Sequence, residues 1–384
     1  MYSFDYTPQW IPWWLFPSAV VFFFWLGWTL RRWMPWFGTG RKSLDTASRW
    51  SANQKPTLGG LIFAGGLLAA LATQLLVPGF HFTQVSVGYY AGAFLAFAIG
   101  LWDDINRMSP LRKFIWQWIA AGIFIAGLWG TYPVWLMLML WAWIVVLMNS
   151  MNMFDNMDGI ATSVGMAAMA PLLFMNQGLP VTLFMTAALF AFLWFNWPKS
   201  KMFMGDSGSH LLGYVLALLP FLKDLQISSG EPSVWMPARL LDQQQPFMAN
   251  PVLDIILLAT ILCIPLSDTA IVTINRISAG RSPARGGRDH TSHNLSYAGL
   301  SGWQICVLIM LVGLLGYWLN LRAGHLFRDA VQLQIAQSGT FNSWRFVDTL
   351  GICLPNLLLI ACTFITLFSL TRINLKKGKF SYSS

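Results

Sequence analysis

Charged side chains are scarce in this chain of 384 residues. Only 10% of the residues are Asp, Glu, Lys or Arg, whereas 56% are hydrophobic, and the mean hydropathy is +0.55. A soluble domain carries about 25% charged residues, so this chain cannot cover a water-facing surface, and soluble, disordered and fibrous classes are excluded. The apolar stretches are long and unbroken rather than alternating, which also excludes a transmembrane β-barrel.

Several reactive patterns are missing as well. No GxGxxG, P-loop, HExxH or GxSxG pattern occurs, which disfavours a Rossmann or Walker nucleotide site, a zinc protease and a serine-hydrolase elbow. The net charge of +9 is explained in so apolar a chain by basic loops beside anionic lipid, and predicts no nucleic-acid partner. Four cysteines lie in apolar runs, which predicts small buried side chains rather than disulfides or a zinc site: Cys263, Cys306, Cys353 and Cys362.

Apolar segments near the length of about 20 residues that crosses a bilayer recur along the chain. We predict one all-α, polytopic membrane domain covering residues 1–384. The first segment is expected to be a retained helix rather than a cleaved signal peptide, because no basic residue precedes Arg31. Eleven spans are predicted, at 11–30, 58–78, 87–102, 114–131, 134–150, 160–177, 180–197, 208–222, 252–275, 303–320 and 349–370.

The distribution of basic residues predicts the orientation of these spans. With the N-terminus outside, 19 of the 24 basic residues fall in cytoplasmic segments, as expected from the positive-inside rule. The C-terminus is then cytoplasmic. The predicted cytoplasmic loops lie near 31–57, 103–113, 151–159, 198–209 and 276–302.

Ionisable residues near membrane depth are functional candidates, and here they gather at the predicted cytoplasmic ends of helices. Each group also has an ordinary interpretation: Asp206 as a helix cap, Asp158 as a turn residue, and the two adjacent aspartates after the third span as a solvated helix end. The basic loop could be only a topology signal. The candidates are Asp103, Asp104, Asn152, Asp155, Asp158, Asp206, Arg288, Asp289, His290 and His293.

Aspartates that converge on one membrane face repel one another unless a cation neutralises them. Mg²⁺ suits this set, because it binds one or two carboxylates and completes its coordination with water and phosphate. Asn152, Asp155 and Asp158 have the spacing i, i+3, i+6, which predicts one shared helical face. Arg281, Arg285 and Arg288 offer positive charge for a second anionic group. Carboxylates, metal and Arg/His side chains are typical of phosphoryl transfer.

From KPTLGG at 55–60 to DHTSH at 289–293, the motifs resemble the polyprenyl-phosphate N-acetylhexosamine-1-phosphate transferases of glycosyltransferase family 4. The resemblance implies that Asp103 and Asp104 lie beside the reacting phosphates, one of them as base or nucleophile, and that Asp206 binds the metal. It implies catalytic roles for Asp155, Asp158, His290 and His293. Substrate contacts are expected at Asn152, Arg288 and Asp289, and the uracil is expected to bind at Asn196 and Phe203.

The family resemblance also implies a reaction and its setting. We expect HexNAc-1-phosphate, foremost GlcNAc-1-phosphate, to pass from a UDP-sugar to undecaprenyl phosphate with release of UMP. The metal would be Mg²⁺, or Mn²⁺ as another oxygen-preferring ion. The enzyme would lie in the bacterial inner membrane, with its site on the cytoplasmic face, and a homodimer is left open. The last-loop sequence His290-Thr-Ser-His293 lacks the three consecutive histidines of the MurNAc-pentapeptide branch, which disfavours that substrate.

Two other classes of membrane protein fit parts of this sequence. A secondary transporter or lipid flippase would use the aspartates for ion coupling, but such groups lie near the bilayer midplane on broken helices and in paired halves. Only Asp268, within the predicted ninth span, fits that description in part. An inert membrane scaffold would leave the set of aspartates unexplained.

Overall fold

The fold is all-helical, as predicted. The computed structural model describes residues 14–37, 55–76, 84–130, 132–174, 180–219, 251–284, 286–338 and 346–379. Within these ranges the backbone forms helices and one isolated bridge, between Thr57 and Phe203. The helices are α1 (Leu15–Trp33), α2 (Gly59–Leu76), α3 (Gln84–Asn106), α4 (Pro110–Gly127), α5 (Val134–Phe154), α6 (Ile160–Phe174), α7 (Pro180–Asn196), α8 (Gly205–Ala217), α9 (Pro251–Ile261), α10 (Cys263–Ser278), α11 (Thr291–Tyr297), α12 (Gly302–Ser338) and α13 (Phe346–Lys376).

Five of the helices in the described ranges are long and apolar enough to cross a membrane, and a bent pair would make a sixth span. The apolar helices α6 and α7 are shorter. A multi-pass membrane protein is therefore supported, while the count of eleven spans and their orientation stay predictions. The five segments are Gly59–Leu76, Gln84–Asn106, Val134–Phe154, Gly302–Leu326 and Gly351–Lys376.

The prediction of one continuous span at 252–275 is wrong, because the structure has two helices there. The segments Ile255–Ile261 and Cys263–Ser278 meet at an angle of 85°. Pro265 explains the break, because a proline has no N–H to donate to the carbonyl of Ile261 and its ring collides with that carbonyl. Leu262 turns the chain between the two helices with φ −95° and ψ 19°.

Helix α8 lies inside the bundle and packs against α2, α3 and α5. Every residue from Ser207 to Ala217 is buried. Two glycines allow the close approach: a Cβ on Gly100 of α3 would lie 2.2 Å from the carbonyl oxygen of Asp206, and a Cβ on Gly60 of α2 would lie 2.2 Å from Ser207 Oγ. The first turn of α8 is thereby held against α2 and α3.

The cysteine prediction is confirmed at three positions and wrong at the fourth. Cys263, Cys306 and Cys353 are buried, but Cys362 is exposed on α13. An apolar thiol on the outside of a bundle has no cost when that surface faces lipid, so an apolar run alone does not distinguish the two locations.

Candidate active site

Two of the predicted aspartates meet at one lysine. Asp103 ends α3, Lys113 lies in the first turn of α4, and Asp206 lies in the first turn of α8. Lys113 Nζ is 2.6 Å from Asp103 Oδ2 and 3.4 Å from Asp206 Oδ2. The backbone N–H of Met108 also donates to Asp103. One ammonium thus compensates two carboxylates that would otherwise repel each other.

Asp104 has a different set of partners from its neighbour. Its Oδ1 accepts the Asp206 backbone N–H at 3.0 Å, and its Oδ2 accepts the Ser207 N–H at 3.0 Å and the Ser207 hydroxyl at 2.7 Å. The first N–H groups of a helix lack intrahelical partners and carry a partial positive charge. Asp104 therefore caps α8 from another helix, and the interpretation of Asp206 as the cap of its own helix is wrong.

The predicted shared helical face of Asn152, Asp155 and Asp158 is wrong, because α5 ends at Phe154. Asn152 remains on the helix, where its Nδ2 donates to Asp206 Oδ1 at 3.1 Å. Asp155 is the residue after the helix and is half-buried. Asp158 lies in the following turn and points to a separate set of donors.

Those donors are a lysine and a serine from two distant segments. Lys55 Nζ is 3.2 Å from Asp158 Oδ2, and Ser200 donates its N–H at 3.0 Å and its hydroxyl at 2.7 Å to Asp158. Lys55 also lies over the ring of Phe203, 4.9 Å from its centroid. Lys55 and Ser200 were not singled out by sequence reasoning. The sequence signal for Lys55 is its position in the motif KPTLGG, but its charge alone predicts only a basic loop residue.

Asn196, the expected uracil contact, is buried and bonded to protein. Its Oδ1 accepts the Gly159 N–H at 3.1 Å and the Thr162 hydroxyl at 2.8 Å, and its Nδ2 donates to the Met202 carbonyl at 3.0 Å. The amide thus ties the end of α7 to the turn that carries Asp158. It also holds the residue before Phe203 through the Met202 carbonyl, and direct contact with a base stays a prediction.

The last-loop residues form a buried network of their own. Arg276, which sequence reasoning did not single out, makes two bonds to Asp289, at 2.9 Å from Nε and 2.6 Å from Nη2. His290 Nδ1 lies 2.8 Å from Asp268 Oδ2, and Asp268 also accepts the Thr291 N–H. Asp268 on α10 therefore supports the loop through His290 and Thr291.

This network is joined to the rest of the site through the turn after α5. The hydroxyl of Ser292 donates to Asn156 Oδ1. The rings of His290 and His293 lie 5.7 Å apart. Arg288 differs from the two histidines because its side chain is exposed.

Two pKa values in this loop are displaced by their surroundings. Burial alone would raise the pKa of Asp289, but the hydrogen bonds and charge of Arg276 outweigh it and hold that pKa below its usual range. Burial lowers the pKa of His293 to about 3, and the neighbouring His290 adds to the effect. At neutral pH the loop therefore holds an ionised Asp289 and a neutral His293.

A polar chain behind Asp206 was missed entirely by sequence reasoning. His210, one turn after Asp206 on α8, has its Nδ1 at 2.7 Å from the Asp206 carbonyl. Its Nε2 lies 2.8 Å from Gln117 Nε2, and Gln117 Oε1 accepts from Asn149 at 2.8 Å. Because a carbonyl only accepts, His210 Nδ1 donates, and Nε2 accepts from the glutamine. This chain fixes α8 to α4 and α5 directly beneath the carboxylates.

The donor set fits Mg²⁺ held partly by phosphate rather than a closed cage. Within the described residues, no group of three His, Cys, Asp or Glu side chains converges on one metal position. Asp206 is the most exposed of the three aspartates, at 21% against 8% for the side chain of Asp103, while both oxygens of Asp104 hold α8. One or two carboxylates plus phosphate oxygens is the usual Mg²⁺ arrangement.

Fold and site together define a helical membrane protein with carboxylates, a lysine and an amide gathered at helix ends. The model described as glycosyl transferase family 4 matches residues 86–222, which include Asp103, Asp104, Asn152 and Asp206. Over that segment the chain is similar to glycosyl transferase family 4.

Curated relatives extend the similarity beyond that segment. The chain is 26% identical over 300 residues, 71% of its own length and 74% of the relative's, to a probable undecaprenyl-phosphate N-acetylglucosaminyl 1-phosphate transferase of Bacillus subtilis. It is 28% identical over 296 residues, 68% and 70% of the two chains, to a decaprenyl-phosphate N-acetylglucosaminephosphotransferase of Mycolicibacterium smegmatis. It is 27% identical over 285 residues, 68% and 70%, to an undecaprenyl-phosphate alpha-N-acetylglucosaminyl 1-phosphate transferase of Yersinia pestis.

Proposed function

We propose that this protein transfers GlcNAc-1-phosphate from UDP-GlcNAc to undecaprenyl phosphate and releases UMP. The observation that carries the proposal is the cluster in which Lys113 lies between Asp103 and Asp206 and Asn152 donates to Asp206. Such a cluster suits a reaction between two phosphates. The choice of sugar and acceptor rests on the relatives, whose names each contain N-acetylglucosamine and a polyprenyl phosphate.

In the proposed reaction an oxygen of the lipid phosphate attacks the β-phosphorus of the UDP-sugar. A new P–O bond forms, and the bond between the β-phosphorus and the bridging oxygen breaks. The electron pair leaves with UMP, so the bond between sugar and phosphate survives. Asp103 is better placed than Asp104 to take a proton from the lipid phosphate, because its Oδ2 is paired with the side chain of Lys113, which can move, whereas both oxygens of Asp104 accept backbone N–H groups at the start of α8. Lys113 attracts both phosphates electrostatically.

Asp206 would hold Mg²⁺. When bound, the ion neutralises the diphosphate and favours departure of UMP. Asn152 orients the Asp206 carboxylate through its 3.1 Å bond. The chain from His210 to Asn149 holds the backbone of that aspartate in place.

The uridine would bind at the pocket built from the turn after α5 and the loop after α7. Phe203 offers a half-buried ring for stacking, and Asn196 supports the wall behind it. Lys55 and Asp158 supply polar groups at the same place. Asp155, half-buried at the end of α5, lies between this pocket and Asn152 in the chain, and we assign it a catalytic supporting role.

The last cytoplasmic loop would bind the sugar phosphate or the lipid phosphate. Arg288 is the exposed member and provides the charge. His290 and His293 are buried, and Asp289 is paired with Arg276, so these three hold the loop in shape behind it.

The proposed setting is the first membrane step of an envelope polysaccharide, such as an O-antigen-like glycan, in a bacterial inner membrane. The support is the predicted cytoplasmic position of every motif loop together with the family resemblance.

One observation favours a transporter as the second candidate. Helices α9 and α10 form a broken span, and Asp268 is fully buried six residues after the break, as in ion-coupled transporters. However, Asp268 accepts bonds from His290 and Thr291 of the last loop. Its charge is therefore engaged in holding that loop.

The test is turnover by the purified full-length protein with undecaprenyl phosphate, Mg²⁺ and a panel of UDP-sugars. UMP release and the mass of the lipid product are measured. We expect UMP and a lipid-linked GlcNAc diphosphate with UDP-GlcNAc, loss of both in EDTA, and recovery with Mg²⁺ or Mn²⁺. If product forms only with a different UDP-sugar, that sugar is the donor and the assignment of UDP-GlcNAc is wrong. If no UDP-sugar yields UMP, the transporter is favoured.

Two variants make the test specific to the site. Asp206→Asn keeps the side-chain size but removes one charge, and should abolish turnover. Glu231→Gln removes one charge from the only glutamate, in a loop predicted to lie outside, and should leave turnover unchanged. Equal turnover by the two variants would contradict the assignment of Asp206.

A further inference from the structure

An apolar groove runs between α1 and α7 and ends at the loop after α7, where Ser200 contacts Asp158. It encloses about 580 Å³, a volume within the range of about 300–1,000 Å³ for ligand sites. Its walls are aliphatic and aromatic side chains, including Val21, Phe24 and Trp194. Phe24 stacks on Phe195 at 5.2 Å and meets Trp194 edge-on at 6.0 Å, so the floor is rigid.

One end of the groove is cationic. Lys199 and Lys201 line it there, and Lys201 also lines a second cleft of about 530 Å³ that contains Arg31 and Arg32 from the last turn of α1. No acidic residue lines either space among the residues that the structure describes. Five positive side chains from three segments thus line this end of the groove and the adjoining cleft, because Lys55 is also in that cleft.

The backbone at Lys199 supports a built site. Its φ is +73°, in the left-handed region that non-glycine residues rarely adopt. Strained residues of this kind cluster at ligand-binding positions. The neighbouring Ser200 is fixed by its bonds to Asp158, which holds the loop so that both flanking lysines remain exposed at the groove.

We propose that this groove binds one acyl chain of an anionic bilayer phospholipid, whose phosphate is held by Lys199, Lys201, Arg31 and Arg32. The apolar walls match the chain, and the cationic mouth lies where the basic-residue pattern predicts the cytoplasmic surface. Anionic lipids of that leaflet attract such basic clusters. Bound lipid would link α1 to the loop that carries Ser200.

The linking segment 38–54 is a less suitable occupant on charge. It carries Arg41, Lys42 and Arg49 but only one acidic residue, Asp45. A net positive segment is repelled by a cationic cleft, whereas a phosphodiester is attracted to it.

The test is native mass spectrometry of the full-length protein in detergent with equimolar phosphatidylglycerol and phosphatidylethanolamine of the same acyl chains. We expect one retained phosphatidylglycerol. Lys199→Gln/Lys201→Gln should bind it about twentyfold more weakly, since each basic residue near an anionic surface contributes roughly fivefold in affinity. Val21→Trp, which fills the groove at an exposed position, should lower retention without changing charge.

The matched control is Lys376→Gln/Lys377→Gln, which removes two charges at the end of α13. It should retain phosphatidylglycerol as the unchanged protein does. Equal retention of both phospholipids, or equal losses in the groove and control variants, would overturn the proposal. Displacement of phosphatidylglycerol by undecaprenyl phosphate would also overturn it, by assigning the groove to the acceptor. Transfer activity is not part of the readout, so this test is independent of the proposed reaction.

Discussion

Asp103 and Asp104 are adjacent but have different structural roles, and this predicts different defects. Asp103→Asn should reduce kcat strongly with little change in thermal stability, because the amide oxygen can still accept the Met108 N–H and Lys113 keeps Asp206 as a partner. Asp104→Asn should reduce both, since an amide N–H would face the donors at the start of α8, at a cost of roughly 1–3 kcal/mol. Turnover and melting temperature of both variants measure this.

UDP-sugar binding provides the control for those variants, because the proposed uracil pocket lies elsewhere. Both variants should still bind the UDP-sugar, provided that binding by Asp104→Asn is expressed per folded molecule. Equal melting temperatures for the two variants would contradict the capping role of Asp104.

Phe203→Ala should give the opposite kinetic result. It removes the proposed stacking surface and the partner of Lys55, so KM for the UDP-sugar should rise by about tenfold while kcat changes little. Steady-state kinetics with varied UDP-sugar measures this, and Phe203→Tyr, which keeps the ring, is the matched control. A fall in kcat at unchanged KM would show that the roles of this residue and Asp103 have been inverted.

The lowered pKa of His293 predicts that the stability of the protein depends on pH. Its pKa is about 3 in the folded protein and 6.5 as the reference value, so below pH 6.5 the unfolded chain takes up a proton that the folded chain does not. Stability is present above that pH and is lost as the pH falls toward 3, by at most about 1.4 kcal/mol per pH unit. Melting temperatures between pH 7 and 5 should fall less steeply in His293→Gln.

The control for this measurement is His325→Gln, which changes the same residue type at an exposed position of α12. It should leave the slope as in the unchanged protein. Parallel slopes for the His293 variant and the unchanged protein would contradict the prediction.

At the scale of single residues, the sequence indicated most polar residues of the site but not their partners. The motif pattern singled out Asp103, Asp206 and Asn152, and the structure brings them together. Gln117 and His210 could not be predicted, because an isolated polar residue in an apolar helix gives no sign of which other helix it faces. Their pairing is a property of tertiary packing.

At the scale of helices, the close approach of α3 to α8 predicts a severe effect from one methyl group. In Gly100→Ala the new Cβ would lie 2.2 Å from the Asp206 carbonyl oxygen and 2.4 Å from Ser207 Cα. Because both contacts are backbone, α8 must move, at a cost of about 1–3 kcal/mol, and the carboxylates move with it. Melting temperature and turnover should both fall, the latter by at least about tenfold.

Gly351→Ala is the matched control in α13, where nothing lies within 4 Å of the new Cβ. It should be neutral or stabilising by up to about 1 kcal/mol, because alanine favours helix over glycine. A Gly100→Ala variant as active as this control would contradict the packing of α8 on α3.

Helix existence followed from apolar runs, whereas helix ends and bends often did not. The run at 252–275 has no charged residue between Asp254 and Asp268, and only Pro265 signals the break. The spacing of Asn152 and Asp158 suited a helix, but Gly159 adopts φ +82° and the chain turns before it. Apolar content governs insertion, while local backbone chemistry decides where a helix stops.

At the scale of the whole molecule, orientation is the prediction to test. A reporter fused after Lys379 should lie in the cytoplasm, and one inserted near Glu231, outside the described residues, should lie on the other side. The reason is that 19 of 24 basic residues fall in segments assigned to the cytoplasm. Accessibility to an impermeant reagent in intact cells measures both, and an external C-terminus would require a different number of spans.

The cap that Asp104 provides also constrains the order in which the molecule is made. Its donors, Asp206 and Ser207, lie 102 and 103 residues later in the chain, so the carboxylate is synthesised well before the groups that neutralise it. A charged aspartate is stable at the membrane edge only while water solvates it. During synthesis the end of α3 must therefore remain hydrated until α8 arrives, and the last step of α3 docking awaits a helix that is the fifth after α3 along the nascent chain.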